Sequence, residues 1–189
     1  MIGYCFCGSF CTISKSLKVL RSLVSEGNDV LPVMSENVYT TSTRFGDAET
    51  LKKTVSELCG KEIIHTIVDA EPLGPKIKLD MLVISPCTGN TLAKIAAGIT
   101  DTPVTMAAKA QLRANRPVVI ALATNDALSA NLKNIGTLLS RKNVFFVPMR
   151  QDDPESKPSS LVCDFSLLKN TMMAAFSGKQ LQPVFLSPM

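Results

Sequence analysis

The chain has 189 residues, a length that fits one domain with a core of its own. Apolar residues make up 46% and charged residues 19%, and the net charge of +4 is spread along the chain, with Phe 8, Tyr 2 and Trp 0; this argues against a nucleic-acid interface and points to contacts between copies. The longest apolar runs are strand-sized, short of the roughly 20 residues of a membrane helix, and no charged segment precedes the first of them, so a cytoplasmic protein is expected.

Ile2 to Cys7 predicts a first strand, Gly8-Ser9-Phe10-Cys11-Thr12 a turn, and Ile13 to Glu26 a helix with Leu17, Leu20, Leu23 and Val24 on one face. This βα unit lacks the dinucleotide fingerprint, because no glycine stands two or five residues after Gly8. The turn leaves room for a single phosphate on the Gly8-Ser9 amides; it reads equally as a plain connector. Cys5 and Cys7 share a strand face, and His65 is the only histidine, so a metal site has few ligands to draw on. All six cysteines are expected as free thiols.

Asp29 to Met34 predicts a second strand, with Pro32 marking it as an edge. Ser35 follows as a helix cap. Thr40 to Phe45 reads as a polar loop, Asp47 to Leu58 as a helix ended by Gly60, Glu62 to Ile67 as a third short strand, and Asp69 to Pro75 as turns. Asp80 to Ile84 carries an unbroken apolar run, the mark of a strand covered on both faces, and Pro86 is expected to stop it. Cys87-Thr88-Gly89-Asn90-Thr91 then leads into a helix with Leu92, Ile95 and Ile99 at helical spacing. Such a strand–turn–helix junction turns free N–H groups outward.

Val104 to Asn115 predicts a helix and Pro117 to Ala123 a buried strand. Thr124-Asn125-Asp126 closes that strand on the same edge as the Cys87 turn. Asn125 offers a donor and an acceptor there, or opens an Asx turn. Leu128 to Arg141 reads as helix, Asn143 to Val147 as the last strand, Pro148 to Ser160 as a loop, Asp164 to Lys179 as a closing helix and Leu181 to Met189 as a tail. The expected architecture is α/β: one doubly wound, largely parallel sheet of about six strands with helices on both faces, over residues 1–180.

The stretch Ser85 to Pro103, SPCTGNTLAKIAAGITDTP, resembles the signature P-x-(S/T)-x-N-T-(I/L)-x-K-(I/L)-A-x-G-I-x-D of the FMN-binding Cys-decarboxylase-like flavoproteins. That family includes cysteine decarboxylases and flavin prenyltransferases. The runs Pro103 to Leu128 and Asn134 to Pro154 extend the likeness over most of the chain, towards one branch of the family. The resemblance implies an FMN held between protomers of a trimer-based homo-oligomer, by Gly8, Ser9, Ser35, Cys87, Thr88, Asn90 and Asn125. For that branch it implies an oxidoreductase subunit that aids aromatising oxidation of a dihydro precursor to pyridine-2,6-dicarboxylate during sporulation. A partner subunit carrying an NADP-type Rossmann domain is implied with it. Cations for such a dicarboxylate are sought in Arg44, Lys109, Arg113 and Arg150, because Arg suits planar pairing. The resemblance also implies a mobile cover after the last strand, here Pro148 to Ser160. The decarboxylases place a catalytic His shortly before the Asp that opens the central strand. The matching position here is Pro72, beside Glu71, so Glu71 is the acid/base candidate and His65 lies too far upstream. Decarboxylation or prenyl transfer on the same scaffold, and a non-catalytic assembly role, are the alternatives.

Overall fold

In the computed structural model, which describes residues 1–187, seven strands form one sheet. Pro188 and Met189, the end of the predicted tail, lie outside the described residues. The strands are β1 (Ile2–Phe6), β2 (Val30–Met34), β3 (Met81–Cys87), β4 (Val118–Thr124), β5 (Val144–Phe146), β6 (Met149–Arg150) and β7 (Leu161–Cys163). Their order is β2-β1-β3-β4-β7-β6, and β5 also pairs β4. The first five are parallel, and β6 and β7 are antiparallel. β1, β2 and β3 are buried at every position, as the apolar runs required.

The helices are α1 (Ile13–Ser25), α2 (Glu36–Thr40), α3 (Ala48–Cys59), α4 (Ile67–Ala70), α5 (Gly89–Ala97), α6 (Pro103–Arg113), α7 (Leu132–Leu139) and α8 (Leu168–Phe176). α1 packs with α3 and with the short 3-10 turn Phe165–Leu167 that leads into α8; α5 packs with α6 and α7. These two groups cover opposite faces, which makes the sheet doubly wound. No helix among the described residues is long and apolar enough to cross a membrane.

Four expectations need correction. Glu62 to Ile67 is not a strand. Ile64 alone bridges β2, donating to Pro32 O at 3.0 Å and accepting from Met34 N at 2.8 Å. The Thr66–Asp69 capping box then starts α4. β2 is the edge strand that Pro32 announced. Pro86 does not stop β3, which runs on to Cys87. The ladder to β4 shifts register between Ile84 and Cys87, and the Pro86 carbonyl still accepts from Cys7 N at 3.2 Å. The helix expected from Leu128 begins only at Leu132, because Ser129 and Asn131 N–H turn back to the Asp126 carbonyl. Finally, the segment Pro148 to Ser160 is not wholly loop. Its start is β6, one arm of a hairpin with β7. β5 pairs the beginning of β4 and β7 pairs its end, at Ala123 and Thr124, so the hairpin sits at the carboxyl rim of the sheet.

Candidate functional site

The chain leaves β1 through α1 for β2 on one side, then returns across to β3 on the other. Connections diverge at the carboxyl ends of β1 and β3, the place where open α/β sheets hold their ligands. A cleft of about 330 Å³ lies there. The β1 end supplies Gly8 and Ser9, the β3 end Thr88, and the β4 end Thr124 and Asn125; Asp152 and Lys157 reach in from the hairpin loop.

Each strand end is fixed by short polar contacts. Thr12 Oγ1 lies 2.9 Å from the Ser9 carbonyl and 3.1 Å from Ser9 Oγ, which folds the turn tightly before α1. Thr88 caps α5 by accepting from Thr91 N at 3.3 Å. Gly89 follows with no room for a side chain: an added Cβ would stand 2.6 Å from Asn131 Nδ2 and 2.7 Å from both Asp126 Oδ1 and Thr124 Oγ1. Those three groups are tied together. Thr124 Oγ1 donates to Asp126 Oδ1 at 2.6 Å and Asn131 Nδ2 to Asp126 Oδ2 at 2.8 Å. The Asp126 carboxylate thus lies beside the start of α5, where the helix dipole favours negative charge. Beneath the rim Tyr4, Ser16 and Ser85, all fully buried, form a chain of hydroxyls linking β1, α1 and β3. Burial pushes the Tyr4 phenol well above its ordinary range.

Four of the expected residues, Gly8, Ser9, Thr88 and Asn125, line this single cleft. Ser35 stands at the neighbouring strand end, its N–H donating to Phe6 O at 2.9 Å. Its Oγ is buried and has no hydrogen-bond partner. Asn90 is exposed in the first turn of α5. The Cys87 side chain is not on the rim; it is fully buried, and burial raises its thiol pKa well above the usual range. Glu71 is exposed on a segment that does not line the cleft. His65 lies in a different groove beside β2, stacked on Tyr39 with ring centroids 3.8 Å apart. Lys109 and Arg113 also face elsewhere, into a groove between α5 and α6. Arg44 sits over the Phe45 ring, which borders the cleft. Arg150 lines an adjoining chamber of about 640 Å³ and pairs with Asp164 at 2.9 Å.

Sequence reasoning missed Lys15, Lys18, Asp152 and Lys157, and it placed Thr124 on this edge without giving it a role. Lys15 and Lys18 carried a signal, since they project at i,i+3 from the helix that follows the Gly8-Ser9 turn. Asp152 and Lys157 carried none, because their place depends on the long-range pairing of β7 with β4. Among the described residues, no histidine lines the cleft. Cys11 is exposed at its border, and the sole histidine is in another groove.

Thiol chemistry checks this burial pattern. Cys5, Cys7, Cys87 and Cys163 are buried, and burial pushes Cys7 to about 11; Cys59 is half-buried and also raised to about 11. Since the thiolate is the reactive form, native protein treated with a thiol reagent is expected to show one fast site, Cys11, and six after unfolding. A second fast site among the four buried thiols would contradict the structure.

The chain is 48% identical to the B subunit of dipicolinate synthase from Bacillus subtilis, over 98% of this chain and 92% of that protein. The crystal structure of the B subunit of dipicolinate synthase from Bacillus halodurans superposes with a TM-score of 0.91 at 41% identity, covering 100% of this chain and 96% of that one. The FMN-dependent cysteine decarboxylase SpaF shares the fold at 24% identity, with a TM-score of 0.67 over 92% of this chain and 95% of that one. The flavoprotein family model matches residues 1–177, and the chain belongs to the flavoprotein family.

Proposed function

We propose that this chain is the flavoprotein-type subunit of a dipicolinate synthase, which holds FMN at the carboxyl rim and works with the A subunit of the same enzyme. The observation that carries the reading is the convergence of Gly8, Ser9, Thr88 and Asn125 at the switch point of the sheet, in a chain so similar to known B subunits. The rim fits the cofactor. The Gly8, Phe10 and Cys11 amides have no hydrogen-bond partner among the described residues, and Ser35 Oγ is buried without one. A phosphate supplies acceptors for such donors. Thr88 and Asn125 present neutral polar groups suited to the edge of a flavin ring, with Asn90 and the Cys87 backbone next in line. Bound there, FMN supplies two-electron redox chemistry that side chains lack. The protein's share is to orient the ring and to hold substrate over it, in an oxidation whose product is aromatic pyridine-2,6-dicarboxylate. Nicotinamide cofactor, NADP in this reading, belongs to the A subunit. The setting is the cytoplasm of the mother cell in a sporulating bacterium, and the assembly is a homo-oligomer built from trimers.

The alternatives draw less from the site. Decarboxylation in the manner of the cysteine decarboxylases needs an acid/base group, and neither Glu71 nor His65 lines the cleft of this chain. An assembly-only role leaves the Ser35 hydroxyl and the free amides without a purpose.

Purification in isolation and together with its A-type partner, with and without added FMN, tests the reading. A yellow protein with an oxidised-flavin spectrum, bleached anaerobically by the dihydro precursor, is the expected result. A folded, colourless chain that ignores added FMN would refute it. Asn125→Ala removes an exposed amide and is expected to weaken FMN binding by about tenfold with little change in stability. Titration of apoprotein by flavin fluorescence measures it, and unchanged affinity would count against this placement.

A further inference from the structure

None of Gly8, Ser9, Ser35, Thr88, Asn90 and Asn125 lines the chamber beside the rim. It shares Cys11, Thr12, Asp152, Lys157 and Val162 with the cleft, so the two spaces adjoin along a common wall. Its charge is lopsided. Lys15, Lys18, Arg150 and Lys157 line it against only Asp152 and Asp164. Arg150 and Lys157 are each engaged, with Asp164 at 2.9 Å and Asp152 at 3.3 Å. Lys15 and Lys18 form no ion pair among the described residues. The chamber thus has two poles of different character, one of these unpaired cations and one of cations already held by Asp164 and Asp152. One is the pair on α1, whose Cβ atoms stand roughly 5–6 Å apart at i,i+3. The other is Arg150 and Lys157 on the hairpin. Val19, Val162 and Phe165 supply apolar wall.

We propose that this chamber is the substrate subsite, and that it takes a small planar dicarboxylate with one carboxylate on Lys15 and Lys18 and the other on the Arg150 side. The inference deepens the function proposed above and rests on it for the identity of the ligand. Charge decides the class: four cations over two carboxylates leave an excess of two positive charges, which a dianion matches and a monoacid does not. Shape supports it. A chamber of about 640 Å³ is of the size that encloses small ligands. Position supports it too, because a ligand there abuts the Thr88–Asn125 cleft through the shared wall at Val162 and Asp152. It also replaces the Lys109 and Arg113 expected from sequence, whose groove does not adjoin the cleft.

Calorimetry with the full chain tests this, using pyridine-2,6-dicarboxylate and the monoacid pyridine-2-carboxylate as probes, each with and without saturating FMN. The diacid is expected to bind at least about tenfold more tightly than the monoacid. The exposed pair Lys15→Ala/Lys18→Ala is expected to erase most of that preference while FMN affinity stays unchanged. Lys109→Ala/Arg113→Ala is expected to change neither. Unaltered diacid binding in the Lys15/Lys18 variant overturns the proposal, as does a wild-type chain that binds no diacid. Diacid binding abolished by FMN would put the cofactor phosphate in the chamber and also overturn it. Diacid binding that obeys these expectations in a chain that never binds FMN would refute the flavin reading and leave the subsite standing.

Discussion

Gly89→Ala is expected to destabilise the protein by about 3 kcal/mol and to abolish flavin retention. One methyl group has this reach because of where it lands. The new Cβ meets Asn131 Nδ2, Asp126 Oδ1 and Thr124 Oγ1 at 2.6 to 2.7 Å, inside any tolerable contact. Short polar side chains normally turn aside, but these hold one another. Asp126 accepts from Thr124 and Asn131, and Asn131 in turn accepts from Asn134 at 2.8 Å. Moving one breaks the others or lifts the first turn of α5 away from the end of β4. Either way Thr88 and Asn125 lose their common cleft. The control is Gly136→Ala inside α7, where an added Cβ meets nothing within 4 Å. Helix propensity alone then operates, and the change is expected to stabilise by about 0.5–1 kcal/mol. Denaturant melts of both variants, with flavin content read by absorbance, measure the contrast. Equal stability of the two variants would show that the Asp126 cluster yields freely.

The sheet was legible from the sequence wherever burial on both faces left its mark. Met81 to Ile84 and Val118 to Ala123 are apolar without a break, and they are the central strands β3 and β4. Pro32 announced the edge through its missing donor. The candidate site was legible at the ends of β1, β3 and β4, because Gly8-Ser9, Thr88 and Asn125 each stand in the short polar turn that ends an apolar run. The β6–β7 hairpin was not. Met149-Arg150 and Leu161-Val162-Cys163 are too short for alternation to show, and their pairing is set by the free upper edge of β4. Lys157 was hidden with it, whereas Arg150, at the end of β6, was among the cations read from the sequence. Sequence spacing likewise suggested Lys109 and Arg113 as neighbours of the rim, but α6 carries them into another groove. Local pattern reports which residues face inward; it does not report which surface groups meet across the sheet.

Ser16→Ala is expected to cost about 2 kcal/mol, and Ser16→Ala/Ser85→Ala less than the two single changes combined. Ser16 Oγ lies 2.6 Å from the Ser85 carbonyl and 2.9 Å from both Ser85 Oγ and the Tyr4 hydroxyl. Each of these residues is fully buried, so no water replaces a lost partner. Removing Ser16 Oγ takes away the hydrogen-bond partner of Ser85 Oγ, and a buried orphan costs more than the bond contributed. Tyr4 is less affected, since its hydroxyl also reaches the Ser16 carbonyl at 3.0 Å. Taking away Ser85 Oγ as well removes the orphan, and part of the penalty with it. Additive losses in a double-mutant cycle would mean that the hydroxyls act independently. The cycle also bears on the rim, because this chain joins α1, β1 and β3 directly under the Gly8-Ser9 and Thr88 turns. Flavin affinity is therefore expected to fall in Ser16→Ala along with stability. Substitution of the exposed Lys15, one residue earlier on the same helix, is expected to leave both unchanged.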